Sequence, residues 1–322
     1  MDAGRRSRNL GLVECAIKAA SSHNTQPWRF LIEGDRITIL PDPTRRCPAV
    51  DPDDHHLFAS LGCAAENLCV AARATGLEAT VRFDHASAGV QVDLAQSARS
   101  GDPLYAAIDL RQCSRSLYDG TPLTAGERRL LEIAGTGEGV RLMLLEGSGQ
   151  LERIADYVAA GNSAQFADPA WRAELQHWIR FNTRSARATG DGLHGPVMGS
   201  PDVPDWLGGL FMRFGFSAAR QNRKDREQIR SSAAVAVFVS AVDDRRHWVE
   251  AGRCYQRFAL QAAALDLRTA FINQPVEVTP LRPEFAAFLG VGTGRPDLVV
   301  RVGHGPRMPR SLRRPVEEVL AG

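Results

Sequence analysis

Residues 61–81, "LGCAAENLCVAARATGLEATV", decide how this chain is built. Small and apolar residues fill the run, and only Glu66 and Arg73 carry charge before Gly76. Such a pattern predicts a long helix buried on most sides. It begins near "DPDDHHL", Asp51 to Leu57, where Asp51 or Asp53 suits an N-cap, and the strand "EATVRF" follows at once. The same order recurs in residues 251–271, "AGRCYQRFALQAAALDLRTAF". Gly62 falls on Gly252, Ala72 on Ala262, Ala74 on Ala264 and Leu77 on Leu267, and a strand again follows the helix. The shared element order predicts an internal duplication, each half a helix–strand–helix–strand unit with its own central helix.

Working outward, Leu10 to Ala20 reads as a helix with apolar positions Leu12, Cys15, Ile17 and Ala19. Trp28 to Glu33 and "RITILPD" read as two strands joined at Gly34-Asp35, and "GVQVDLA" closes the first half. From Pro103, "PLYAAIDLRQCSRSLYDG" predicts a helix ending in a basic loop. A helix "TAGERRLLEIAG", a strand "GVRLMLLE" and two helical segments around 151–160 and 170–181 follow. Residues 185–222 read as irregular, and "SSAAVAVFVSA" as a buried strand.

Between the first helix and strand stands "AASSHNTQPWRF", Ala19 to Phe30, five small polar side chains ahead of Gln-Pro-Trp. Turn chemistry alone accounts for serine and asparagine at a helix end. The worn counterpart in the second half, "IAGTGEGVRLMLLE", keeps an arginine (Arg141 for Arg29) and loses the polar cluster.

These residues carry a resemblance. "SSHNTQPWRF" resembles the Ser-Ser-x-Asn-x-Gln-Pro-Trp loop of flavin-dependent nitroreductases, "RQCSRSLYDGTPL" their phosphate-gripping Arg-x-Ser-x-Arg segment, and "RSLRRPVEEVL" their basic C-terminal motif. Two such halves in one chain resemble the Acg subgroup, where one polypeptide mimics the usual dimer. The resemblance implies an α+β, nitroreductase-like fold: an internally duplicated pseudo-dimer with long central helices flanked by mixed or antiparallel sheets. Residues 1–100 would form the first half. Residues 101–322 would form the second, with a lid insertion at about 163–222 and a C-terminal phosphate-binding segment.

It further implies one FMN per chain. Ser21, Ser22, His23, Asn24 and Gln26 would serve the ring side, with Ile272 and Asn273 flanking the ring after the second central helix. Arg111, Cys113, Arg115, Arg313 and Arg314 would serve the phosphate, to which guanidinium groups make charge-assisted bonds. Cys113 departs from the family, which has Ser or Thr there. The activity implied is NAD(P)H-dependent hydride transfer through FMN to a small-molecule nitro-, quinone- or enone-type acceptor, with no acid–base residue required. Two alternatives stay open: an FMN-sequestering protein whose lid (Trp171, Trp178, Trp206, Phe211) covers the flavin, and a pathway-specific flavin-dependent dehydrogenase.

Composition narrows the classes. The 322 residues are 44% apolar and 24% charged, with a net charge of +2, which favours no acidic partner. The basic clusters at 220–230 and 307–314 belong to no nucleic-acid module, so none is expected as partner. No run is long enough to span a bilayer, and Glu14 and Lys18 interrupt any export signal after Arg5-Arg6, so a cytoplasmic protein without a membrane partner is expected. Six scattered cysteines read as reduced thiols. "DPDDHHL" has a metal-like composition, but adjacent histidines on a helix diverge by about 100°, so no metal is expected. "GVGTGR" (290–295) lacks a strand–helix context and reads as a turn.

Overall fold

At the centre of the molecule two helices of 20 residues each, His55–Ala74 and Arg245–Ala264, cross at two glycines. A Cβ on Gly62 would lie 1.9 Å from the carbonyl oxygen of Val249, and one on Gly252 would lie 1.9 Å from that of Ala59. Only glycine allows the backbones to touch there. The two contacts are the same contact made twice: Gly62 and Ala59 stand to Gly252 and Val249 at one constant offset in sequence. The polar pairs beside them repeat it, with Glu66 against Arg257 at 3.0 Å and Asn67 against Gln256 at 2.7 Å. Locally this is the self-complementary geometry of a two-fold interface, written in one chain.

The computed structural model describes residues 3–321. In chain order the elements are α1 (Ala3–Ala16), β1 (Trp28–Glu33), β2 (Arg36–Pro41), α2 (His55–Ala74), β3 (Leu77–Asp84), β4 (Gly89–Gln96), α3 (Ala125–Ala134) and β5 (Val140–Leu145). Then come α4 (Ser148–Ala167), α5 (Pro169–Trp178), β6 (Ile179–Arg180), α6 (Thr183–Thr189), β7 (Leu193–His194), α7 (Asp205–Phe214) and α8 (Ala218–Arg230). The chain finishes with β8 (Ala234–Ser240), α9 (Arg245–Ala264), β9 (Arg268–Phe271), α10 (Gln274–Glu277), α11 (Arg282–Leu289), β10 (Arg295–Gly303) and α12 (Val316–Val319).

Each central helix carries one four-stranded antiparallel sheet, β1-β2-β4-β3 for α2 and β5-β8-β10-β9 for α9. In the first sheet Phe30 pairs with Ile39, and alternate residues Trp28, Phe30, Ile37, Ile39, Val90 and Val92 turn into the main core. The second sheet is buried on both faces, so β8 is apolar almost throughout. Leu298, Val300 and Val302 face α9, while Val235, Val237 and Val299 meet Ile154 and Ile229 of α4 and α8. A third small core gathers Cys47, Val50, Trp171, Leu175, Trp178, Ile179 and Leu193. All six cysteines are free thiols, five of them buried.

Three expectations need correction. The first helix covers Ala3–Ala16 and stops before Ile17, its successors turning toward the polar loop. The helix expected from Pro103 shrinks to a 3-10 turn at Ala106–Asp109, because the chain then runs extended beside β9. Cys113 bridges Thr269 there, and Ser114 N–H donates to the Thr269 carbonyl at 2.8 Å. Residues 185–222 hold helices rather than irregular chain. Gly and Pro between them hid the pattern, yet α8 has its own cap in Ser217, and α7 opens after Pro204.

Candidate functional site

The loop between α1 and β1 is held in a conformation that most side chains avoid. His23, Asn24 and Gln26 all have positive φ, at 47°, 55° and 54°. Clustered left-handed residues that are not glycine persist only where their surroundings over-determine them. Here the surroundings are visible. The Asn24 amide donates to the carbonyls of Gly192 and Leu312, both at 3.1 Å, and its oxygen accepts from Arg313 at 2.9 Å. The Gln26 amide donates to the Gly190 carbonyl at 2.9 Å and accepts from Arg314 N–H at 2.9 Å. Ser21 Oγ accepts from Gln26 N–H at 3.0 Å, and Trp28 is fully buried behind the turn. The loop is thus clamped between the segment after α6 and the C-terminal segment.

With its polar side chains so engaged, the loop forms one wall of a cavity of about 590 Å³. Ser21, Ser22 and His23 line it, opposite Asn273 and Gln274, with His56, Ser60 and Cys63 of α2 on the floor. Phe166, Trp171, Phe181, Phe211, Met212 and Phe216 roof it. A second cavity of about 210 Å³ shares Ser21, Arg115 and Phe271 with the first and is basic. Lys18, Arg111, Arg115, Arg310 and Arg313 border it, and its carboxylate, Asp109, already pairs with Lys18 at 2.7 Å. Among the described residues no carboxylate pairs with Arg111, Arg115 or Arg313. Arg111 and Arg313 donate instead to backbone carbonyls around Lys18 and leave their Nε atoms unpartnered. Burial, and then the neighbouring Arg111 charge, push Arg313 down to about 9. Buried cations short of a counter-charge make a ready site for an anion.

The sequence-derived candidates therefore divide. Ser22, His23 and Asn273 border the large cavity, Asn24, Arg111, Cys113 and Arg313 the small one, and Ser21 and Arg115 both. Gln26, Ile272 and Arg314 border neither. Gln26 clamps the loop, Ile272 is in the core behind β9, and Arg314 turns to Glu318, 3.4 Å away. Asn24 points at carbonyls and Arg313, so it is a positioning residue. Of the lid aromatics, Trp171 and Phe211 reach the cavity, Trp178 lies in the third core under Arg45 and Arg180, and Trp206 is exposed.

Three groups on the cavity escaped sequence reasoning. His56 is one. Asp51 accepts from the N–H groups of His56 and Leu57, both at 3.0 Å, which anchors the start of α2 and delivers His56 to the cavity floor. His55 turns the other way, its Nε2 2.9 Å from Asp297, whose carboxyl burial raises to about 7. The donor atoms of Asp51, His55 and His56 lie within 4.8 Å of one another. Glu277 is the second group, raised by burial and held by Gln165 at 2.7 Å; Asn162, bonded to Asp225 at 2.8 Å, is the third. Their signal in the sequence was weak, since single polar residues at helix ends are common. Burial, then Arg115 and His56, lower His23 to about 4, so the imidazole against the cavity is neutral.

The loop between α3 and β5, read from the sequence as the worn counterpart, is packed full. A Cβ on Gly137 would strike Glu250 and Cys254, and Arg257 donates to the carbonyls of Ala134 and Thr136. Arg253 and Arg257 gather there on Glu66.

No protein-family model matches the chain. It is similar, at 27% identity over 96% of its length, to "Putative NAD(P)H nitroreductase Rv3131" of Mycobacterium tuberculosis, 90% of which is covered. It is equally similar to "Putative NAD(P)H nitroreductase acg" of the same organism, with 96% and 93% covered. Among solved structures, the FMN-dependent nitroreductase NfnB from Mycobacterium smegmatis in complex with NADPH matches 67% of this chain and 96% of its own, at 14% identity and a TM-score of 0.43.

Proposed function

We propose that this chain, related along almost its whole length to proteins named as NAD(P)H nitroreductases and to Acg, binds one FMN in the joined cavities and acts as an NAD(P)H-dependent oxidoreductase. The observation that carries this reading is the basic cavity, where Arg111, Arg115 and Arg313 lack carboxylate partners beside a cavity large enough for a flat ring. The donor set fits the cofactor. Three guanidinium groups suit a dianionic phosphate, and Ser21, Ser22 and Asn273 offer donors to a polar ring edge. When bound, FMN would supply hydride acceptance and donation.

The chain's own residues bind and orient. Asn24 holds Arg313 toward the small cavity, Ser21 holds the turn at Gln26, and the roof residues exclude water. The chain is read as two halves, 1–100 and 101–322, with the first half's polar loop and the arginines of 111–115 and 313 making a single site. Its acceptor is read as a nitro-, quinone- or enone-type small molecule. A second reading, FMN sequestration, draws support from the roof, where Phe166, Trp171 and Phe216 pack against one another over the cavity.

Purified protein is expected to be yellow and to release FMN on denaturation. The Arg111→Ala/Arg115→Ala variant is expected to lose the flavin, and retention at unchanged affinity would show the phosphate site misplaced. Anaerobic addition of NADH or NADPH separates the two readings. Fast bleaching of the flavin supports the reductase, and reduction by dithionite alone supports sequestration.

A further inference from the structure

The roof helix α7 has two faces, and the cavity uses one. At 100° per residue, Trp206, Leu210, Phe214, Leu207 and Phe211 fall within an arc of about 140°. Gly208 and Met212 lie opposite, and Gly208 rests on the ring of Phe181, where a Cβ would come within 2.2 Å. The arc is open to solvent: Trp206 is 73% exposed, Phe214 74%, Phe211 50% and Leu210 49%. A soluble surface rarely leaves so many large apolar groups contiguous without a use. Leu207 and Phe211 also border the large cavity, so this surface and the cavity wall are two sides of one helix.

The edges of the arc are basic. Arg213 lies on α7 itself, its guanidinium 5.2 Å from the Phe214 ring. Arg220 follows on α8 and donates to the Gly215 carbonyl at the end of α7. Arg184 and Arg187 lie on α6, whose start is tied to Asp205 through Asn182 at 2.8 Å and Ser185 at 3.0 Å. Among the described residues none of these four arginines pairs with a carboxylate, and all four are exposed. The nearby acids, Asp202 and Asp205, accept from the neutral groups of Thr183, Asn182 and Ser185 and keep their charge, so four arginines stand against two carboxylates.

We propose that α7 docks this chain onto an anionic lipid–water interface. Trp206, Leu210 and Phe214 enter the headgroup region, and Arg184, Arg187, Arg213 and Arg220 meet the lipid phosphates. An apolar arc with Trp and Phe flanked by arginines is the pattern of a helix that lies in an interface. No helix among the described residues is long and apolar enough to cross a membrane, and docking of this kind needs an arc, not a span. A second copy fits less well. A two-fold contact would gather the basic rims of both copies in one interface, and a ten-residue helix offers little of the roughly 800 Å² per partner that a stable dimer buries. Nucleic acid offers phosphates but no apolar phase for Trp206 and Phe214.

The test uses the full chain with whatever flavin it carries. It is sedimented with vesicles of phosphatidylglycerol and phosphatidylcholine, and with vesicles of phosphatidylcholine alone. Sedimentation with the anionic vesicles is expected, weakened by salt and reduced about ten-fold in Trp206→Ser/Phe214→Ser. Both positions are exposed, so the variant should keep the parent's melting temperature. Ile133→Ser, an exposed apolar position on α3, serves as a control and should sediment like the parent. Absence of sedimentation, or equal sedimentation of the double variant, overturns the proposal. So does a lipid-free dimer that the double variant converts to monomer. The outcome is independent of the flavin: a colourless protein that still sediments leaves docking intact and removes the proposed cofactor.

Discussion

A side chain that serves a cavity and one that shapes it can be neighbours in sequence, and the polar loop contains both. Ser21, Ser22 and His23 present themselves to the cavity, whereas Asn24 and Gln26 spend their hydrogen bonds on Gly190, Gly192, Leu312, Arg313 and Arg314. His23 allows a clean test. Its folded value of about 4 lies below its ordinary 6.5, so the unfolded chain takes up a proton that the folded one refuses. The stability tied to His23 is therefore complete above pH 6.5 and is lost as pH falls toward 4. Asparagine tolerates the left-handed backbone at this position. His23→Asn is expected to fold and to lose less melting temperature than the parent between pH 7 and pH 5. An unchanged difference would mean that the imidazole titrates freely. The polar composition of this loop was legible in the sequence. The division of labour was not, because it depends on residues more than 160 positions away.

Among the elements, the two central helices decide most. Gly62→Ala and Gly252→Ala each drive a methyl into a backbone carbonyl, and neither backbone can move without lifting one sheet from the other. Each is expected to destabilise the protein by about 3 kcal/mol, read as a fall in thermal midpoint. Gly149→Ala, in the exposed start of α4 with nothing within 4 Å of the added Cβ, should be neutral or slightly stabilising. Helices α2 and α9, the four strands of the first sheet and β8 were readable from apolar periodicity and small-residue density. Segment 103–118 was not. Its local pattern is helical, but the edge of β9 offers Cys113 and Ser114 backbone partners that a helix would forfeit. Helices α6 and α7 were missed for the opposite reason: both are short, α6 carries no large apolar residue, and the apolar arc of α7 is split between a cavity and solvent.

For the whole molecule, the roof is tied by charge to the segment between β2 and α2. Asp191, after α6, is paired with Arg45, between β2 and α2, and with Arg180 at 2.7 Å, and burial of all three side chains is substantial. Asp191→Asn leaves two half-buried cations without their anion and loosens the segment against the polar loop between α1 and β1. Release of FMN from this variant is expected to be about ten-fold faster, measured by stopped-flow capture of free flavin. An unchanged rate would mean that the roof does not limit exchange.

What the sequence determined by itself is the framework. Buried small-residue helices announced themselves twice, strands followed each, and one polar loop stood out against a worn copy. Local periodicity suffices for this, because helix and strand bury their faces by spacing alone. Only the tertiary structure decided which residues face a cavity. It turned Gln26, Ile272 and Arg314 away, brought His56 and Glu277 in, packed Arg257 and Glu250 against the loop before β5, and left four arginines around one small cavity. Those assignments rest on contacts between segments far apart in the chain, and the direction in which a side chain points is set by its neighbours in space.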